Sequence, residues 1–152
     1  MINIHISTQT LELIIDKKLY KIYQISSAKN GLGEKENSYC TPRGKHKISK
    51  KIGDGLAENS VLVGREFTGE TFNESLFEQF PDRDWISTRI LWLEGLEEHN
   101  KNSKDRYIYI HGTPDSTELG KTGSKGCIRV NNKDMVEIFN LSHEGDEVNI
   151  IG

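Results

Sequence analysis

The sequence predicts a mainly β domain with two short helices. Three observations carry this. Short runs rich in branched and aromatic residues recur along the whole chain. Loops rich in glycine and polar residues separate them. Only two stretches carry a helical signal. Pattern alone leaves open whether the strands stack as a sandwich or curl into a partly open barrel.

Each element has its own signal. Residues 2–6 (INIHI) and 10–15 (TLELII) flank a polar STQ turn and read as a hairpin. After the DKK turn, residues 19–26 alternate as a third strand, and 30–38 is a glycine-rich loop. TPRG (41–44) reads as a turn entering a strand that runs to residue 52. Residues 61–67 read as one further strand. Thr71 and Glu74 have the spacing of a capping box, so a short helix is expected before Pro81, which stops it. Segment 68–85 is therefore an insertion, either a surface decoration or a lid. Residues 86–93 and 106–110 return to strand character, with a charged loop at 94–105 between them. Asn132 is the expected N-cap of a second helix whose Met135, Ile138 and Phe139 share one face. Residues 147–151 form the last strand. No repeat divides the chain, so 1–152 reads as a single domain.

Bulk properties exclude several functions. The 152 residues carry 20 basic and 23 acidic side chains, a net charge of −3. No global positive field exists to hold nucleic acid. No apolar run approaches the ~18 residues of a membrane segment. The start, MINIHISTQTLELIID, has strand alternation rather than the charged-then-apolar pattern of a secretory signal. The cytoplasm is the expected compartment, or the periplasm or cell wall if a leader has been removed. Two cysteines, Cys40 and Cys127, do not make a disulfide framework.

The chemistry concentrates in residues 111–130, HGTPDSTELGKTGSKGCIRV. Strand alternation puts Tyr107, Tyr109 and His111 on one face and Ile108 and Ile110 on the other. The same logic puts Cys127 and Arg129 opposite Ile128 and Val130. His111 and Cys127 are thus expected on one accessible sheet face, with Arg129 beside them. A thiolate is a strong nucleophile, and an imidazole can take the thiol proton and return it to a leaving group. Such a pair is expected to depress the Cys127 pKa. Gly126 lets a carbonyl approach the backbone, and the Gly126 and Cys127 amides could face an oxyanion. A metal reading would join Cys40 and His46 to the pair, but the close ligand spacing of zinc sites is missing. No metal and no cofactor is expected. Arg43, Lys45, His46, Lys47, Lys50 and Lys51 read as a solvated strand face, or else as an attractor of substrate carboxylates. Trp85 and Trp92 read as core.

His111–Gly112 followed by Ser124, Gly126, Cys127, Arg129 and Val130 resembles the active-site signature of the L,D-transpeptidase catalytic domain, the YkuD-like family. TPRG (41–44) resembles the family's Thr-Pro-x-Gly turn beside the binding groove. The resemblance implies a β-sandwich of mixed sheets with two short helices, a cysteine nucleophile and no metal. It implies peptidoglycan stem peptides or muropeptides as partners. The bond cut joins an L-centre, of diaminopimelate or lysine, to a terminal D-alanine. Carried over, Cys127 attacks, His111 is the base and the Gly112 carbonyl orients the imidazole. Ser124 and Gly126 line the oxyanion or substrate site, and Arg129 braces the loop or holds a carboxylate. Some members place a second histidine where this chain has Lys125. Three functions follow in order of expectation: an L,D-carboxypeptidase with water as acceptor, a cross-linking transpeptidase with an amine acceptor, and a non-catalytic peptide-binding module.

Overall fold

A computed structural model describes all 152 residues, Met1–Gly152. Ten strands lie in one sheet: β1 (Ile2–His5), β2 (Thr10–Ile15), β3 (Lys18–Ser26), β4 (Gly44–Ile52), β5 (Ser60–Val63), β6 (Glu66–Thr71), β7 (Ile86–Gly95), β8 (Tyr109–Thr113), β9 (Ile128–Asn131) and β10 (Glu147–Ile151). The helices are α1 (Glu74–Gln79) and α2 (Asn132–Leu141). Strand order is β4-β10-β1-β2-β3-β9-β8-β7-β5-β6, and β4 also pairs with β7. That extra pairing closes eight strands into a mixed barrel. The expected sandwich is therefore corrected: the mainly β class holds, but the sheet closes on itself. The reason is long-range. Residues 46–52 of β4 pair with 90–95 of β7 across a register shift, which no local pattern encodes.

Alternation decides what fills the barrel. Ile2, Ile4, Leu11, Leu13, Ile25, Ile110, Ile128, Val130, Val148 and Ile150 all point inward. Helix α2 adds Met135, Ile138 and Phe139 to the same core. A smaller cluster of Leu62, Ile90 and Tyr109 lies on the other face of β7 and β8, with Cys127 packed against it.

Several boundaries differ from expectation. Residues 61–67 are not one strand: Gly64 and Arg65, both at positive φ, turn the chain into the β5–β6 hairpin. The N-cap of α1 is Asn73, whose side chain accepts from the Leu76 amide, because Thr71 is held in β6. Asn131, not Asn132, caps α2. Strand β8 begins at Tyr109 rather than Arg106, since Tyr107 sits at φ 58°. Within insertion 68–85, Phe72 meets Trp85 edge-on at 5.0 Å and Arg83 pairs with Glu70 at 3.0 Å.

The candidate active site

His111 lies on β8 and Cys127 immediately precedes β9, its parallel neighbour. In the β8–β9 ladder Ile110 pairs with Ile128, and His111 with Arg129. Both side chains open onto one cavity of about 390 Å³. Ser124, Lys125, Arg106, Tyr107 and Tyr109 also line it, as do Tyr39 from the 30–43 loop and Asp84 from the end of the insertion.

His111 is buried rather than lying on an open face. Its Nδ1 lies 2.6 Å from the Gly112 carbonyl oxygen, which makes Nδ1 the protonated nitrogen. Nε2 is left as the free base, and His111 lines the cavity. Gly112 could not be larger: a Cβ there would stand 2.4 Å from the Ser87 carbonyl and 2.5 Å from Asn132 Oδ1. Burial lowers the His111 pKa, and Asp84 and the Gly112 bond only partly offset it, so the ring is neutral at pH 7.

Cys127 is half-buried. Its Sγ donates to the Tyr107 carbonyl and accepts from the Tyr109 amide, each at 3.3 Å. It makes no hydrogen bond to His111. Desolvation pushes the thiol pKa up to about 12, against opposing contributions from the Tyr109 amide and Arg106. The expected depressed thiol is thus corrected. Sequence shows an imidazole nearby but not the loss of water that outweighs it.

The Ser124–Cys127 turn is bolted at both ends. Ser124 Oγ donates to the Cys127 carbonyl at 2.6 Å and accepts from the Gly126 amide at 3.2 Å. Thr41, the first residue of TPRG, donates from Oγ1 to the Gly126 carbonyl at 2.9 Å. Gly126 has φ 129°, a conformation that L side chains rarely adopt. Since the Gly126 amide already serves Ser124, the expected pair of oxyanion donors reduces to one. The Cys127 amide has no acceptor within the protein.

Arg129 does not line the Cys127 cavity. Its Nη2 donates to Ser26 Oγ at 2.8 Å and lies against Gly123, tying the crossover loop to β3. It forms part of a separate cleft of about 910 Å³, together with Glu74, Glu78, Asp115 and Glu118. Cys40 and His46 do not converge with the pair. The Cys40 thiol faces the Asn30 and Ser38 carbonyls, and His46 is buried against Ser103 at 2.8 Å. No three His, Cys, Asp or Glu side chains form a metal-holding group. The basic run 43–51 also stands away: Arg43 pairs with Glu34 and Lys47 with Glu94. Trp85 is buried, whereas Trp92 is half-exposed beneath Arg65.

Sequence reading missed Asp84 and Arg106. Asp84 follows α1 with no signal beyond its charge. Arg106 bonds to the Cys40 carbonyl at 2.8 Å and leans toward Cys127, a contact that only the closed barrel creates.

A closed mixed barrel with a histidine on one strand and a cysteine at the start of its parallel neighbour defines the class: a cysteine-bearing β domain with a built cavity. The chain belongs to the YkuD family, the L,D-transpeptidase catalytic domain, whose profile matches residues 1–150. Among curated relatives, YqjB of Bacillus subtilis (strain 168) is 27% identical over 141 residues, covering 93% of this chain and 65% of that protein. YkuD of the same organism is 46% identical over 48 residues, 32% of this chain and 29% of that one. Both bear L,D-transpeptidase names. L,D-transpeptidase 3 from Mycobacterium tuberculosis, in complex with a faropenem-derived adduct, superposes with a TM-score of 0.64 at 18% identity. The match covers 99% of this chain and 59% of that one. The chain thus spans under two thirds of the length of these relatives. At such identity the structural likeness speaks for the fold. No helix is long and apolar enough to cross a membrane.

Proposed function

We propose that this domain transfers the acyl group of a peptidoglycan stem peptide through a Cys127 thioester, with water as the favoured acceptor. The observation that carries the reading is the shared cavity: His111, with its Nε2 free, and Cys127 line it together. Substrate binding displaces the weak Sγ contact with the Tyr107 carbonyl, and the thiol turns toward His111. The imidazole takes the thiol proton as sulfur attacks the carbonyl carbon on the L-side of the terminal D-alanine bond. The oxyanion meets the free Cys127 amide. The C–N bond breaks, the D-alanine amine leaves with the proton from His111, and the thioester remains. Water, deprotonated by His111, then releases a tripeptide and restores the thiol. This is an L,D-carboxypeptidase.

The choice of water rests on the second cleft. It shares no lining residue with the Cys127 cavity, so an amine held there is not held at the thioester. An amine beats solvent only when positioned, because positioning is worth effective molarities of about 10⁵ M or more. A second reading, cross-linking, has its own support: the carboxylates of Glu74, Glu78, Asp115 and Glu118 suit an incoming ammonium group if the insertion moves as a lid. Mass spectrometry of the protein with a disaccharide-tetrapeptide and with free tetrapeptide separates the two. Tripeptide with little dimer is expected. Mainly dimer transfers the assignment to cross-linking, and no product from either substrate removes both.

A further inference from the structure

A third hollow, of about 320 Å³, opens beside the Cys127 cavity. Lys29, Asn30, Tyr39, Gly123, Ser124 and Lys125 line it. Tyr39, Ser124 and Lys125 line the Cys127 cavity as well, so the two hollows adjoin. Lys125 stands at their junction, two residues before the nucleophile.

The charge is sorted along this path. Glu36, Asp84 and Asp105 border the Cys127 cavity beside Arg106 and Lys125, while the hollow has two lysines and no acid. Neither Lys29 nor Lys125 has a carboxylate within ion-pair distance. This positive spot belongs to a chain whose net charge is −3.

The hollow is also built. The Lys29 amide donates to the Ser124 carbonyl at 2.9 Å, and Ala28 bridges to Ser124 in parallel. The Ala28 amide donates to Thr41 Oγ1, which in turn bonds the Gly126 carbonyl. The backbone under Lys29 is therefore fixed to the same turn that carries Cys127. Asn30 Nδ2 is engaged with the Ser38 carbonyl, which orients that side chain at the rim. Tyr39, at the boundary, is exposed and held at φ 56°. Positive φ at a bulky residue beside a cavity is a strained arrangement that its surroundings must maintain.

We propose that this hollow is a carboxylate subsite for the donor peptide, with Lys29 and Lys125 as its cationic ligands. The inference rests on the acyl-transfer reading and adds to it the part of the substrate that is recognised. Ammonium groups on flexible stems take a carboxylate as point charges, without the fixed geometry of an arginine fork. The carboxylate comes either from a side group upstream of the scissile bond or from the C-terminus of the peptide.

The test measures binding without turnover. The full chain with Cys127→Ala is titrated calorimetrically with a stem tetrapeptide, with the same peptide amidated at its side carboxylate, and with it amidated at its C-terminus. Lys29→Gln and Lys125→Gln are then added together. One amide binds about fivefold to tenfold more weakly than the free acid, as expected for two partly exposed ion pairs, and that amide identifies the source. The double lysine variant loses the same factor for the free acid and nothing for that amide. Equal affinity for all three peptides, no measurable binding, or an unchanged affinity in the double variant overturns the proposal. Turnover by the unaltered protein is read separately. If the affinities behave as stated while no D-alanine is released, the subsite stands and the acyl-transfer reading falls.

Discussion

Alkylation of Cys127 tests whether the resting thiol is neutral. A protein carrying Cys40→Ser leaves Cys127 as the only thiol, and intact mass follows its reaction with iodoacetamide between pH 6 and 10. With the pKa pushed up to about 12, the thiolate fraction at pH 7.5 is ~3 × 10⁻⁵, against roughly 10% for an ordinary thiol near 8.5. That is a deficit of about 3 × 10³. Higher basicity returns part of it: a Brønsted slope of about 0.45 over 3.5 pH units gives roughly 40-fold. Cys127 should therefore react about 100-fold more slowly than a small free thiol at pH 7.5. The rate should climb tenfold per pH unit with no plateau. Because no hydrogen bond joins Sγ to His111, His111→Ala should change the rate by no more than about twofold. A plateau below pH 8, or a rate matching the small thiol, would refute the neutral resting pair. It would restore the thiolate–imidazolium pair that the sequence alone suggests.

Three further outcomes follow from the same geometry. Cys127→Ala should lower kcat/KM for D-alanine release by about 10³-fold or more, while Cys40→Ala stays within about threefold, since the Cys40 side chain faces away from the cavity; similar losses in the two variants count against the nucleophile. Gly126→Ala should destabilise the domain by about 1–3 kcal/mol in urea unfolding, because φ is 129° and the new Cβ meets the Cys40 carbonyl at 3.2 Å; an unaffected midpoint removes that role. Burial lowers the His46 pKa from its ordinary value near 6.5. The unfolded chain takes up a proton below that value before the folded chain does, so stability is full above pH ~6.5 and falls as pH drops, by up to ~1.4 kcal/mol per pH unit. His46→Gln should flatten that slope in thermal melts at pH 5–7, and an unchanged slope contradicts it.

Local pattern reached much of this molecule. The period of two placed Ile108, Ile110, Ile128 and Val130 in the core, as found. It also put Cys127 and Tyr109 together on the opposite side. What it did not reach depends on partners distant in sequence. The β4–β7 pairing that closes the barrel joins residues 38 to 49 positions apart, and nothing near His46 or Leu93 announces it. The burial of His111 belongs to the assembled fold and has no local signal. The turn at Gly64–Arg65 was legible as a glycine but hidden inside an apolar run. Asp84, Arg106 and the direction of the Cys127 thiol all needed the assembled cavity.

The parallel β8–β9 ladder has a consequence for how such a site can change. Parallel neighbours need a long crossover, and here residues 114–127 supply it without a helix. The ladder fixes His111 directly, whereas Cys127 is the last residue of the crossover, held where the chain enters β9, with Ser124 and Lys125 walling the cavity just before it. The cavity thus draws on the end of the crossover, while its earlier part, 115–118 and 121–122, lines the other cleft. Insertions in 115–122, short of the Gly123 contact with Arg129, can reshape that other cleft while His111 and Cys127 keep their places.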